Sequence, residues 1–148
     1  MKLLSWNIRG GLKASGWDYL FVLLKKHSMD LVLLVETHLD DVNSILCIKR
    51  FGNSWEGDYV PGNGRSRGII LVWKRNFYKV SNLFCCNQAI HVSVSYKNSK
   101  PWLLTGLYAS NSKEERLLLW ELLGSINTEN LPWLVWEIII VLPSRKRR

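Results

Sequence analysis

Hydrophobic and polar positions divide the front of the chain into a strand, a helix and a second strand. Residues 3–6 form a short, mostly apolar run that ends in Asn-Ile-Arg and paired glycines, which is typical of a strand that ends in a loop. A helical repeat follows, with Ser15 as its predicted N-cap and with apolar positions at Trp17, Leu20, Phe21 and Leu24. Residues 31–35 are continuously apolar, as expected for a strand buried on both faces of a sheet.

Two polar residues stand at the ends of these predicted strands. A strand, a helix and a strand at this spacing predict two parallel strands joined by a crossover, so Asn7 and Glu36 leave the sheet at its carboxyl edge. Ligands of α/β sheets gather at that edge. A carboxylate at the end of a buried strand is desolvated, so it needs a partner or a metal to stay charged at a low cost in free energy. Glu36 also fits a solvated loop residue or a helix-cap acceptor.

The middle of the chain is rich in predicted strands. Residues 68–73 form an apolar run after a turn rich in Gly and Pro. Residues 89–96 alternate between apolar and polar side chains, which predicts a half-buried strand with His91 on its polar face. Residues 102–108 predict a further strand that ends at Tyr108. The fold class is therefore α/β.

One more helix and one more strand complete the prediction. The helix begins near Ser112 or Lys113 and uses as its apolar side Leu118, Leu119, Leu122, Leu123 and Ile126. Pro132 opens the last strand, which runs at least through Val135 and extends toward the isoleucines of the apolar stretch 133–142. Ten residues in a helix span about 15 Å against a hydrocarbon core of about 30 Å, so this stretch predicts no membrane anchor.

Composition narrows the class of protein. The chain has 148 residues, of which 47% are hydrophobic, and this indicates one globular domain or a large piece of one. Its net charge of +8 favours an anionic partner such as nucleic acid, but it equally fits a basic surface of no special function. The three cysteines have neither disulfide nor zinc spacing, which predicts a reduced, intracellular protein of the nucleus or cytoplasm.

Four motifs in order resemble one known family. They are Asn-Ile-Arg-Gly from Asn7, Glu-Thr-His-Leu from Glu36, the strand Gly-Ile-Ile-Leu-Val-Trp from Gly68, and Leu-Tyr-Ala-Ser-Asn ending at Asn111. Together they resemble the endonuclease/exonuclease/phosphatase (DNase I-like) superfamily, and within it the endonuclease domain of plant LINE-type non-LTR retrotransposons. The resemblance covers residues 1–135. It implies a four-layer α/β sandwich with two packed sheets, cleavage of a phosphodiester in DNA, and dependence on a divalent metal, with no organic cofactor.

The resemblance also implies roles for individual residues. Glu36 matches the family's metal-binding glutamate, normally for Mg²⁺, and Asn7 matches an asparagine that shapes the phosphate and metal site. Tyr108 matches a tyrosine that contacts the scissile phosphate, and Asn111 occupies a polar position on the same rim. We therefore expect Asn7, Glu36 and Tyr108 to converge on one pocket. Neither His38 nor His91 is expected to take part directly in the chemistry.

The chain departs from the family after Val135. The family continues with Gly-Asp-Phe-Asn, whose aspartate orients or deprotonates the attacking water, whereas this chain reads Trp136-Glu137 followed by isoleucines. Suitable codons for this segment would encode Gly-Asp-Tyr-Asn in another frame, so a frameshift, alternative splicing or a wrong gene model would each explain residues 136–148. The family's C-terminal catalytic histidine and aspartate have no counterpart either. We therefore expect a truncated, inactive domain with uncovered sheet edges and a tendency to self-associate.

Two other functions fit the same sequence. In the first, the chain is a non-enzymatic basic module that binds nucleic acid through Lys and Arg contacts and through Trp stacking on bases. The scattered positions of the basic residues and the placement of most Trp in apolar elements disfavour it. In the second, the chain is a pseudogene product without a selected function.

Overall fold

A computed structural model describes residues 1–10, 13–64, 66–126 and 128–137. These described residues form eight strands and three helices. In chain order they are β1 (Leu3–Asn7), α1 (Ala14–His27), β2 (Leu31–Val35), α2 (Asp41–Lys49), β3 (Trp55–Val60), β4 (Ile69–Lys74), β5 (Tyr78–Cys86), β6 (Ala89–Tyr96), β7 (Trp102–Leu107), α3 (Lys113–Ser125) and β8 (Trp133–Glu137).

The strands form two mixed sheets. The first has the order β1-β2-β4-β3, with β1 parallel to β2 and the other pairs antiparallel. The second has the order β5-β6-β7-β8, and in it only β7 and β8 are parallel. The parallel pairing of β1 with β2 confirms the crossover that the sequence predicts, and it brings Asn7 to the level of Val35, next to Glu36.

The sheets pack face to face and helices cover their outer faces. The core between the sheets combines residues from both, including Leu33, Leu71, Ile90 and Leu104. The outer face of the first sheet packs with α1 through a cluster that includes Trp17, Leu20, Val32 and Ile70. The outer face of the second sheet packs on α3 through Ala89, Leu107, Leu119 and Leu123. The predicted α/β sandwich of four layers is thus present.

Helix ends differ in how well the sequence predicts them. The N-cap of α1 is Lys13, with no side-chain cap hydrogen bond, so the prediction of Ser15 as the cap is wrong. Ser15 lies inside the helix, one residue past its start, where its backbone is no longer extended. Helix α3 begins at Lys113, as predicted, and its N-cap is Ser112, whose hydroxyl accepts a hydrogen bond from the Glu115 amide. On α3 the side chain of Leu118 is exposed, contrary to its predicted place on the apolar side.

The position of His91 corrects a second prediction. His91 lies in β6 on the outer face of the sheet, and only 4% of it is exposed. Its Nδ1 lies 2.7 Å from the Thr105 hydroxyl, which also accepts a hydrogen bond of 2.8 Å from the indole N–H of Trp133 in β8. The alternating pattern predicts a solvated face here. That face is buried because β8 and α3 cover it.

We predict that burial of His91 makes stability depend on pH. Desolvation lowers the pKa of His91 in the folded chain below the usual 6.5, so the unfolded chain binds this proton more readily. Stability is therefore expected to be complete above about pH 6.5 and to fall as the pH drops below it. Urea unfolding at pH 7.5 and 5.5 measures the difference.

Two variants assign the pH effect to this residue. The His91→Gln variant should lose less stability than the parent between these pH values, whereas His27→Gln, which changes an exposed histidine, should behave like the parent. Glu36 does not contribute in this window, because its pKa is lowered from 4.5. An equal pH dependence in the parent and His91→Gln would contradict the assignment.

The last strand runs further than its minimum predicted extent. It forms a parallel ladder with β7 from Trp133 to Glu137, and residues 138–142 lie outside the described residues. Within the ranges that the structure describes, no helix is both long and apolar enough to cross a membrane.

Candidate functional site

Three strand ends meet around one carboxylate. Asn7 is the last residue of β1, Glu36 directly follows β2, and Tyr108 directly follows β7 of the other sheet. Glu36 turns sharply away from its strand with φ of +55°, and its carbonyl accepts a hydrogen bond of 2.7 Å from the Gly10 amide. The pocket therefore lies where the carboxyl ends of β1, β2 and β7 come together.

The side chains of Asn7 and Tyr108 hold one oxygen of Glu36. The Asn7 amide nitrogen donates to Oε2 at 2.8 Å, and the Tyr108 hydroxyl donates to the same oxygen at 2.9 Å. The Asn7 carbonyl oxygen accepts from the Arg9 backbone amide at 3.0 Å, which fixes the orientation of the amide group. The structure thus brings the side chains of Asn7, Glu36 and Tyr108 together, as the sequence predicts.

The other oxygen of Glu36 faces two basic side chains. His38 Nε2 lies 3.5 Å and Arg67 Nη1 lies 3.9 Å from Oε1. Glu36 is only 18% exposed, whereas the side chains of His38 and Arg67 are 47% and 41% exposed. Both basic groups therefore border the pocket on its solvent side.

The sequence motifs assign neither basic residue to the site. No direct part in the chemistry is expected for His38 from the sequence, yet it lies beside the carboxylate. Arg67 carries no recognisable signal, apart from its place directly before Gly68 and a buried strand.

The hydrogen bonds around Glu36 set the protonation states of the site. Burial by itself raises the pKa of Glu36, but hydrogen bonds from Asn7, Tyr108 and His38 and the charge of Arg67 outweigh it, so the pKa lies below its usual value. Burial and the hydrogen bond to Glu36 raise the pKa of Tyr108. At neutral pH the pocket thus contains a carboxylate and a neutral phenol that donates to it.

The connection between β3 and β4 fixes Arg67 beside Glu36. The Thr37 amide donates to the Gly68 carbonyl at 3.3 Å, and the His38 amide donates to the Arg67 carbonyl at 2.8 Å. Gly68 has φ of +89°, which favours glycine, and a Cβ at this position would overlap the buried Thr37 hydroxyl. The two loops are therefore joined through their backbones.

A buried glutamine supports the loop that carries Tyr108. The Gln88 carbonyl accepts from the Tyr108 amide at 2.9 Å, and its side-chain oxygen accepts from the Ser110 amide at 2.7 Å. Its side-chain nitrogen donates to the Glu115 carbonyl at 2.8 Å. Gln88 thus ties the loop to α3. The sequence does not indicate this role, because a glutamine at a turn between two strands is ordinarily exposed.

Asn111 stands apart from the three convergent residues. It is exposed, and its backbone carbonyl accepts from Arg116 Nη1 at 2.9 Å. In the described part of the chain, no hydrogen bond links the Asn111 side chain to Glu36, Asn7 or Tyr108. Asn111 therefore lies in the same loop as Tyr108. Within the described residues, its side chain is not part of the hydrogen-bonded group around Glu36.

The donor set suits a hard cation held by few protein ligands. Among residues 1–10, 13–64, 66–126 and 128–137, no group of three or more His, Cys, Asp or Glu side chains could hold a metal. Mg²⁺ prefers oxygen ligands and keeps several waters, so one or two carboxylates together with substrate phosphates are sufficient. The basic side chains that face Glu36 Oε1 lie 3.5 Å and 3.9 Å from it. Because neither makes a short hydrogen bond, this oxygen fits as the metal ligand.

Glu137 does not join this pocket. It pairs with Leu107 at the end of β8, and side chains alternate along a strand. Trp136 packs against the core between the sheets, so Glu137 lies on the opposite, α3-facing side together with Leu107. Within the described residues, no hydrogen bond joins Glu137 to Asn7 or Tyr108, the two side chains that hold Glu36.

Comparison by sequence finds no match: no protein-family model matches the chain, and no curated protein does. Solved structures do match it. The endonuclease domain of TRAS1, a telomere-specific non-LTR retrotransposon, has a TM-score of 0.64 at 10% identity, over 91% of this chain and 58% of that one. The human Nocturnin catalytic domain with bound sulfate has a TM-score of 0.55 at 20% identity, over 89% of this chain and 62% of that one.

A third structure, D. rerio TDP2 complexed with a single-stranded DNA product, has a TM-score of 0.55 at 14% identity, over 89% of this chain and 57% of that one. This chain thus spans between 57% and 62% of the length of these three structures. The fold is that of the endonuclease/exonuclease/phosphatase, or DNase I-like, proteins, as the sequence motifs imply.

Proposed function

We propose that the pocket around Glu36 is the metal- and phosphate-binding part of a phosphodiesterase site that acts on DNA, of the kind found in retrotransposon endonucleases. The observation that carries the proposal is the clamp on Glu36, in which Asn7 of one sheet and Tyr108 of the other donate to the same oxygen. These two hydrogen bonds leave the second oxygen, Oε1, on the solvent side of the carboxylate, where it faces His38 at 3.5 Å and Arg67 at 3.9 Å. The similarity to the TRAS1 endonuclease domain and to a DNA-bound TDP2 supports the choice of DNA.

Each residue of the proposed site would have a distinct role in binding the metal and the phosphate. A bound Mg²⁺ would polarise a phosphoryl oxygen and neutralise charge that develops on it. Glu36 would hold the ion through Oε1, while Asn7 keeps the carboxylate in orientation from its other side. Tyr108 is a neutral hydroxyl donor at the edge of the pocket, so it can turn its hydrogen bond from Glu36 to a phosphate oxygen.

We further propose that this chain binds substrate without cleaving it efficiently. Hydrolysis needs a group that orients or deprotonates water, and Glu137, the carboxylate at the end of β8, lies on the face of its sheet that points away from the pocket. Its free cysteines fit the reducing environment of the nucleus or cytoplasm, where a DNA-binding protein would act.

The test is metal binding at Glu36. We expect the parent chain to bind Mn²⁺, a paramagnetic substitute for Mg²⁺, and the Glu36→Gln variant to lose this binding because the pocket then has no carboxylate. The Tyr108→Phe variant should weaken it about 10- to 100-fold, as removal of a group that orients a ligand typically does. Electron paramagnetic resonance of free Mn²⁺ measures the affinity.

A matched control separates the site from general charge. Glu56→Gln removes the same charge from an exposed position on β3 and should leave Mn²⁺ binding unchanged. Equal Mn²⁺ affinities of the parent, Glu36→Gln and Glu56→Gln would overturn the proposed function.

A further inference from the structure

Arg67 touches both groups that define the pocket. Its Nη1 donates to the Tyr108 hydroxyl at 3.4 Å and lies 3.9 Å from Glu36 Oε1. The guanidinium carbon also lies 5.8 Å from the centre of the Tyr108 ring. The hydrogen bond from the His38 amide to the Arg67 carbonyl fixes the backbone from which this side chain extends. Arg67 is therefore a positioned part of the pocket.

Most of the hydrogen-bonding capacity of Arg67 is left open. A guanidinium has five N–H donors, and the contacts to Tyr108 and Glu36 both use the same nitrogen, Nη1. The side chain is 41% exposed, and no other hydrogen-bond acceptor contacts it in the part of the chain that the structure describes. The remaining donors are available to a ligand that enters from solvent.

The charges favour an anion as that ligand. The negative charge of Glu36 and the positive charge of Arg67 offset each other. A divalent cation on Glu36 would leave an excess of positive charge, and Arg67 would then border it on the solvent side. The fork of N–H groups on arginine matches the paired oxygens of a phosphate group, which lysine cannot match in the same way.

We propose that Arg67 binds the non-bridging oxygens of the DNA phosphodiester next to Glu36, and that the same side chain orients the Tyr108 hydroxyl toward that phosphate. This inference rests on the proposed function, which it extends by naming a further phosphate-binding residue. Arg67 thus forms with Tyr108 a phosphate receptor on the β3–β4 side of the pocket. The competing role is that of a simple counter-ion for Glu36.

The test compares DNA binding by charge-matched variants of the full 148-residue chain. Fluorescence anisotropy follows a labelled single-stranded oligonucleotide with Ca²⁺, which supports binding without turnover, and with EDTA. We expect Arg67→Gln to bind about tenfold or more weakly in Ca²⁺, because a charge-assisted hydrogen bond to phosphate is lost. Arg67→Lys should fall between it and the parent. Arg75→Gln, at the other end of β4, should change affinity less than about twofold.

The outcomes separate the inference from the proposed function. If Arg67→Gln binds DNA like Arg75→Gln and binds Mn²⁺ more tightly than the parent, Arg67 is only a counter-ion and the inference is wrong. The proposed function still holds in that case if DNA binding depends on Ca²⁺ and is abolished by Glu36→Gln. If DNA binding needs neither Ca²⁺ nor Glu36 but Arg67→Gln still weakens it, the proposed function falls and Arg67 stays a phosphate-binding residue. A parent chain that binds no DNA overturns both.

Discussion

Replacement of Gly68 by alanine is expected to destabilise the fold by about 2 to 5 kcal/mol and to abolish Mn²⁺ binding at Glu36. Gly68 has φ of +89°, a backbone conformation that residues with a side chain rarely adopt. The added Cβ would also overlap the hydroxyl of the fully buried Thr37 and lie 3.2 Å from the His38 nitrogen. The loop would have to move away from the residues that follow Glu36.

The effect on the site follows from the backbone hydrogen bonds. The carbonyls of Gly68 and Arg67 accept from the amides of Thr37 and His38, so a displaced β3–β4 loop takes Arg67 with it and releases the turn after Glu36. Urea unfolding measures the first effect and Mn²⁺ titration the second, each under conditions where the variant is still folded.

Gly64 supplies the control for backbone strain alone. It also has positive φ, of +56°, but a Cβ there would meet nothing within 4 Å. Gly64→Ala should therefore cost only about 1 kcal/mol and keep Mn²⁺ binding. If Gly68→Ala is no more destabilising than Gly64→Ala, the close contact with Thr37 does not carry the effect that we assign to it.

The first sheet shows how far the pattern of residues determines the fold. Continuous apolar runs predict β2 and β4 because both faces of these strands are buried. The pattern misses β3 and β5, whose polar and partly exposed side chains lie at the edges of the sheets. It also misses α2, which exposes Val42 and Leu46 and so lacks a clear apolar side. Elements whose side chains are largely exposed pack on one side only, and their sequences are therefore less constrained.

The site was predictable to the extent that it is attached to strand ends. Asn7, Glu36 and Tyr108 each follow an apolar run, so the topology alone brings them to one edge. Arg67 and Gln88 belong to turns, and their roles depend on the approach of segments distant in sequence. The prediction that His91 lies on a solvated face is wrong for a similar reason, since its burial depends on β8, which lies more than 40 residues further along the chain. Contacts between distant segments leave no local pattern to detect.

Plasmid nicking by the 148-residue chain in Mg²⁺ is expected to be no greater than that of its Glu36→Ala variant. General acid–base help is worth about 10²- to 10⁴-fold, and groups that act as a unit fail together. The side chain of Trp136 packs into the core between the sheets, and Glu137 faces α3, so the end of β8 offers no carboxylate to the water that would attack a phosphate beside Glu36.

The same experiment also tests whether Glu137 can activate the water that attacks the phosphate. Conversion of supercoiled to open-circular plasmid is measured over hours for the parent, Glu36→Ala and Glu137→Gln, each purified in parallel so that a contaminating nuclease affects all three alike. We expect three equal, background rates. Nicking that requires both Mg²⁺ and Glu36, and that Glu137→Gln removes, would show that Glu137 reaches the pocket and activates water. Nicking that survives Glu137→Gln but requires Glu36 would instead place the water-activating group elsewhere in the chain. A metal ion held by Glu36 can polarise the phosphate, but an in-line attack still needs an oriented nucleophile.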